Sequence, residues 1–258
     1  MADRLDTLLR DLGPRVVRGG GEATRGFASG GPDGRFPTGL ARLDRVLGGG
    51  FPRGRVSEVV GPGCCGRTSL ALALLARTTA RGELGVVVDR ADAFDAVSAA
   101  AAGVDLERVL WVRPPGVPEA LRSVEHVLQA GGFPLVLLDL CAEGAPPRIP
   151  AAVWPRLRKA SAATASALVL LGRRRLAGTF ADLALELGAS HPRFERGPDW
   201  LAGFETRVRL VRSRLGPTDA DVPVHWPLAG EAGTEEAKAH TEETAGAEAD
   251  PAARSSAA

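Results

Sequence analysis

An α/β fold, with a mostly parallel twisted sheet covered by helices on both faces, is what this 258-residue sequence predicts. Three observations carry that reading. Short apolar runs at 56–60, 84–88, 109–112, 135–138 and 167–171 alternate with helical stretches at 66–81, 92–102, 118–130 and 150–165. Unbroken apolar strands separated by helices belong to a parallel sheet buried on both sides. The segment Gly61-Pro62-Gly63-Cys64-Cys65-Gly66-Arg67-Thr68-Ser69 lies between the first strand and its helix. A glycine loop in that setting wraps its backbone amides around phosphate oxygens. Finally, Thr206 to Arg212 alternates apolar and charged residues, as a half-exposed strand does.

In chain order, residues 3–12 place leucines and charges at helical spacing, and Gly13-Pro14 ends the run, giving an N-terminal helix/strand arm at 1–17. Seven glycines between 18 and 35 read as a linker. The core is expected over 36–228. It opens with a short amphipathic helix carrying Leu40, Leu43, Val46 and Leu47, terminated by Gly48-Gly49-Gly50. Arg55 to Val60 is the strand before the glycine loop, and Leu70 to Ala76 is the buried helix after it. A last short strand is expected at 222–226. Residues 229–258 are Ala, Glu, Thr and Ser with almost no large apolar side chain, so an acidic, disordered tail is expected there.

Hydrophobic residues make up 45% of the chain, enough for one sizeable core. No apolar run reaches the roughly 18–20 residues of a membrane span. The N-terminus carries acids and no apolar signal core, so a cytoplasmic protein is expected. Three cysteines, two of them adjacent, make no disulfide framework, and the four histidines show no metal spacing. The net charge of +1 divides into −5 from Ala229 onward and +6 before it. Such a balance permits nucleic-acid contact without requiring it.

The glycine loop follows the pattern G-x-x-x-x-G-K-[ST]. Gly61, Gly63 and Gly66 are expected to curl around phosphate, with the Thr68 hydroxyl on magnesium and Ser69 beside it. The lysine position holds Arg67. A lysine there is a compact point charge, whereas guanidinium is a larger planar fork. Arginine bias alone accounts for Arg67, because only Lys159 and Lys238 are lysines among 32 basic residues. Asp139, at the end of a buried strand, has two readings: a magnesium-positioning carboxylate, or a strand-end cap with local hydrogen bonds.

From Phe36 onward the chain resembles the RecA recombinase core. The resemblance rests on Phe36-Pro37-Thr38-Gly39-Leu40, Leu43-Asp44-Arg45-Val46-Leu47-Gly48, Gly54-Arg55 through Glu58 into Gly61-Pro62, Ala102-Gly103-Val104-Asp105, and Glu205 to Arg214. It implies a RecA-like nucleotide core, with ATP and magnesium as weak ligands at most. Several departures bear on that chemistry. The family's water-activating glutamate falls on Ala91, which cannot take a proton, with Asp92 a substitute only if the alignment slips by one. Its adenine-stacking tyrosine falls near Ser98. The polar amide ending its fifth strand is replaced by Gly172, followed by Arg173-Arg174-Arg175. Its two long DNA loops shrink to Cys141–Pro147 and to about Leu176–Thr179. ATP turnover and strand exchange are therefore not expected.

This combination resembles ImuA, a RecA-like accessory family of bacterial mutagenic translesion synthesis. That resemblance implies induction by DNA damage as part of the SOS response. It also implies action with RecA and with an ImuB-type inactive Y-family polymerase relative, and indirectly with an error-prone C-family polymerase. Arg173, Arg174 and Arg175, with Arg156, Arg158 and Lys159, form either a phosphate-tracking DNA patch or a solvated basic surface. Arg212 and Arg214 fall where the family reaches an ATP on the neighbouring subunit; otherwise they are the charged face of an edge strand.

Overall fold

The computed structural model describes residues 34–141, 147–194, 200–214, 216 and 218–227. The expected arm at 1–17, nearly all of the 18–35 linker and the 229–258 tail lie outside the described residues. In chain order the elements are β1 (Arg35–Phe36), α1 (Ala41–Val46), β2 (Phe51–Pro52), β3 (Val56–Val60), α2 (Arg67–Ala80), β4 (Gly85–Asp89), α3 (Ala96–Ala101) and β5 (Val109–Val112). Then come α4 (Val117–Ala130), β6 (Leu135–Asp139), α5 (Val153–Thr164), β7 (Ala167–Gly172), β8 (Leu183–Phe194), β9 (Leu201–Ser213) and β10 (Asp221–Pro227).

Eight strands form one sheet in the order β10-β9-β8-β3-β7-β6-β4-β5, and β1 pairs with β2 in a separate two-stranded ribbon. Pairing is parallel from β8 to β5, and antiparallel where β9 meets β8 and β10 meets β9. The parallel strands are buried on both faces because their side chains alternate between two cores. Leu135 and Leu137 of β6 join Leu70, Leu74 and Leu75 of α2 on one side. Val136 and Leu138 join Val124 and Leu128 of α4 and Trp154 and Leu157 of α5 on the other. This is the two-sided covering that the apolar runs predict.

Two elements differ from the sequence reading. The helix expected at 92–102 starts only at Ala96, because Asp92 takes φ +54° and Asp95 caps the helix by accepting from Val97 N and Ser98 N. The outer ends of β8 and β9 extend as a hairpin that the periodicity does not show. Gly188 to Pro192 give no alternation; Gly188 and Ala189 fall in a register irregularity, and Ser190, His191 and Pro192 pair with Thr206, Glu205 and Phe204 of β9.

Candidate phosphate-loop site

β3 delivers the chain into the 61–66 loop at the carboxyl end of the sheet, where open α/β sheets bind ligands. Two loop glycines are sterically obligatory. A β-carbon on Gly61 would lie 2.5 Å from the Leu187 carbonyl and 2.8 Å from Cys65 Sγ. Gly66 has φ +87°, and a β-carbon there would lie 2.6 Å from Trp226 Nε1. Gly66 is also the N-cap of α2 and supplies no side-chain hydrogen bond, so the first amides of a 14-residue helix have no side-chain cap. Gly63 is exposed at the loop tip, as is Thr68 one turn on, and the Thr68 hydroxyl has no partner among the described residues.

Arg67 lines the loop cavity, but its guanidinium is already engaged within the protein. Its Nη1 donates to the Gly172 carbonyl at 2.5 Å, at the end of β7. The same carbonyl accepts from Gly61 N at 3.3 Å, so one oxygen ties together the start of the loop, the start of α2 and the end of β7. Asp139 ends β6 opposite Asp89 of β4. Its Oδ1 accepts from Cys141 N at 2.7 Å, which is the local strand-end bond. Burial, reinforced by the Asp89 charge, holds the Asp139 carboxyl above the usual range against the opposing Cys141 hydrogen bonds and Arg67 charge. The neighbouring Cys141 and Cys65 thiols are also pushed up, chiefly by burial, which disfavours thiolate chemistry.

Ala91 is exposed on the turn after β4, and Asp92 is taken up in an exposed ion pair with Arg113 at 3.4 Å, beyond the end of edge strand β5. Ser98 is exposed, and its hydroxyl is bound to Asp95 Oδ2. The shift of the Asp95 carboxyl below its ordinary range follows from that bond first, and from the helix amides next. Asp89, only 2% exposed, accepts from Phe94 N at 2.7 Å and Trp111 Nε1 at 3.3 Å. Its Oδ2 braces this turn, while Oδ1 is buried without a hydrogen-bond partner.

A cavity of about 260 Å³ adjoins the loop, lined by Cys64 to Ser69, Ser190, Phe204 and Trp226. Trp226 and Phe204 are register partners on β10 and β9, so their rings share a face. Trp226 is 9% exposed and its Nε1 has no hydrogen-bond partner. Sequence reading missed this ring: it sought an aromatic after the second strand, whereas the aromatic wall comes from the last one. A larger cavity of about 330 Å³ lies at the other end of α2, against Asp44, Arg77 and Arg81, and shares no residue with the loop. The donors present fit a phosphate chain, with Gly61, Gly63, Gly66 and the first α2 amides around it and Thr68, Ser69 and Asp139 nearest a magnesium ion.

The other predicted basic residues are dispersed. Arg156 forms a two-pronged pair with Glu125 and draws that carboxyl down. Arg158 and Arg214 flank buried Asp182 at 3.3 and 3.6 Å. Arg175 donates to the Gly178 carbonyl at 2.9 Å and lies 3.6 Å from Glu58 Oε2. Lys159, Arg173 and Arg174 are exposed and carry no ion pair among the described residues. Arg212 donates to the Ala181 carbonyl at 2.8 Å and Arg214 to the Thr179 carbonyl at 2.9 Å, so both guanidinium groups are turned onto their own chain. Glu58, unremarked as a functional anchor, is 1% exposed and accepts from both Leu176 N and Ala177 N at 2.6 Å.

A phosphate loop on the central strand of a mostly parallel sheet, closed at one rim by an antiparallel pair, defines the class of protein. Within that class, residues 33–152 match the family model for the RecA N-terminal domain. Protein RecA of Prochlorococcus marinus (strain MIT 9303) is 41% identical over 107 residues, covering 42% of this chain and 28% of that relative. Protein RecA of Trichodesmium erythraeum (strain IMS101) is 35% identical over 142 residues, covering 54% of this chain and 38% of the relative. The alignments thus span well under half the length of these relatives. The crystal structure of the RadB recombinase superposes with a TM-score of 0.56 at 19% identity, covering 73% of this chain and 94% of that one, a likeness of fold alone. The matches support a RecA-like superfamily core. Among the described residues no helix is long and apolar enough to cross a membrane.

Proposed function

We propose that this chain is a non-catalytic RecA-like accessory protein, an adaptor in damage-induced mutagenic translesion synthesis as its resemblance to ImuA implies. Its partners in this reading are RecA and an ImuB-type inactive polymerase relative, with an error-prone C-family polymerase acting downstream. The carrying observation is the fate of Arg67: the loop keeps its shape, but the cation at its lysine position is bound to the Gly172 carbonyl. Ala91 and Ser98 add to it, since neither can activate water or stack on a base. The short 173–182 connection between β7 and β8, pinned by Glu58, leaves little to grip filament DNA.

ATP turnover by the full chain, with and without single-stranded DNA, tests this directly. No turnover above background is expected; DNA-stimulated hydrolysis abolished by Thr68→Ala would refute it. Partner assignment is tested by pull-down of the full chain and of a 1–228 truncation against RecA and the ImuB-type protein. Loss of the ImuB-type protein alone assigns the tail, and capture of neither by the full chain removes the adaptor role. The alternative reading is a weak RecA-type ATPase acting on DNA or RecA filaments. The free Thr68 hydroxyl and the unpartnered Trp226 N–H beside the loop favour it.

A further inference from the structure

We infer that Arg173, not Arg67, is the cation that a nucleoside triphosphate meets at the tip of the 61–66 loop. This goes beyond the adaptor reading, which stands whether the loop is filled or empty. Arg67 is committed to the Gly172 carbonyl. That same bond fixes the end of β7, from which Arg173 is the next residue. Arg173 is exposed and has no hydrogen bond or ion pair among the described residues. It nevertheless comes over the loop: a β-carbon on Gly63 would lie 3.9 Å from Arg173 Nη2, with no closer neighbour. Its two arginine neighbours do not do this. Arg175 is held by Gly178 and Glu58, and Arg174 does not approach the loop glycines.

A second, independent feature points to a ligand in the adjoining cavity. The Trp226 Nε1–H is buried, unpartnered and directed at the Gly66 corner of the loop cavity. A buried donor without an acceptor is costly, and an acceptor on a ligand removes the cost. The cavity has room for more than phosphate, since Phe204 and Trp226 give it an aromatic wall beside the polar loop. Gly63 and Arg173 lie beside this cavity, one residue before its lining begins at Cys64, so phosphates held there leave Phe204 and Trp226 to the nucleoside. A guanidinium fork suits the terminal phosphate, which accepts paired hydrogen bonds from it.

The test is calorimetric titration of the full-length protein with ATP, ADP and inorganic tripolyphosphate, in magnesium, without reference to turnover. Wild type is expected to bind ATP more tightly than tripolyphosphate, because the latter leaves the aromatic wall unused. Arg173→Gln is expected to weaken ATP and tripolyphosphate about 10- to 100-fold, the range of one charge-assisted hydrogen-bonding group. It should weaken ADP much less, and Arg173→Lys should recover part of the loss. Arg174→Gln, equally exposed, should change affinity less than about threefold. An unchanged far-ultraviolet spectrum and melting temperature verify folding, as expected for an exposed side chain. The inference is overturned if Arg173→Gln binds ATP like wild type, or if Arg174→Gln loses as much. It is overturned too if tripolyphosphate binds as tightly as ATP, or if wild type binds neither at millimolar concentration. Binding accompanied by turnover would instead overturn the adaptor reading and leave the role of Arg173 standing.

Discussion

Glu58→Ala should be the most damaging single substitution of a charged residue among the described positions. The carboxylate sits in the middle of β3, 1% exposed, and accepts from Leu176 N and Ala177 N, both at 2.6 Å. Removing it leaves two backbone donors without an acceptor in a place water hardly reaches. Each orphaned donor costs about 1–3 kcal/mol. Against this stands the relief of no longer burying a carboxylate, softened already by Arg175 Nε at 3.6 Å. The net expectation is a loss of about 3 kcal/mol, or about 6–12 °C in melting temperature for a domain of this size. Glu58→Gln keeps one acceptor oxygen for the two amides and should lose about half as much. Urea denaturation measures both, and limited proteolysis across 173–182 shows whether the turn after β7 is released. A loss under about 1 kcal/mol for Glu58→Ala, with the turn still protected, would refute the reasoning.

Three further perturbations follow from the same geometry. Asp139 is held above its usual range, so the folded state binds that proton more tightly than the unfolded chain, whose value is about 3.9. Ionised Asp139 therefore costs stability increasingly as pH rises above about 4, and Asp139→Asn should gain on wild type from there towards neutrality; a gap that ignores pH in paired denaturation curves contradicts this. Gly66→Ala meets both φ +87° and Trp226 Nε1 at 2.6 Å and should cost about 2–4 kcal/mol. In a Trp226→Ala background it should cost measurably less, and simple additivity in the double-mutant cycle argues against the contact. Asp182→Ala removes the acceptor shared by Arg158 and Arg214, whose own side chains stay 30% and 44% exposed, and should cost about 2 kcal/mol by denaturant titration. No loss there means the pair is idle.

The parallel half of the fold was legible because its signals are local. Unbroken apolar strands, a glycine loop and a helix follow one another within a few residues, and Gly66 is demanded by its left-handed backbone alone. What escaped is long-range. The Arg67 bond to Gly172 spans 105 positions, and the Glu58 bonds to the turn after β7 span 118 and 119. No periodicity carries such information. At Asp139 the bond seen is a local one, from Cys141 N to Oδ1, and it leaves the second carboxylate oxygen out of that pairing. The β8–β9 hairpin escaped for a different reason. Its outer residues are exposed on both faces, so nothing forces them to alternate, and strand length there is set by pairing with β9 rather than by burial. Trp226 escaped with it, because its ring faces the loop only through that pairing.

β10 lies at the rim of the sheet and is joined to it only through β9 among the described residues. Yet its penultimate residue, Trp226, closes the loop cavity. Fraying of a rim strand, among the least costly motions of a fold, would therefore remove one wall of that cavity. A molecule seated against Trp226 would hold the rim down. Its residence time is governed at the margin of the sheet, far from the glycine loop in sequence. Occupancy is most directly recorded as slowed amide exchange along residues 221–226.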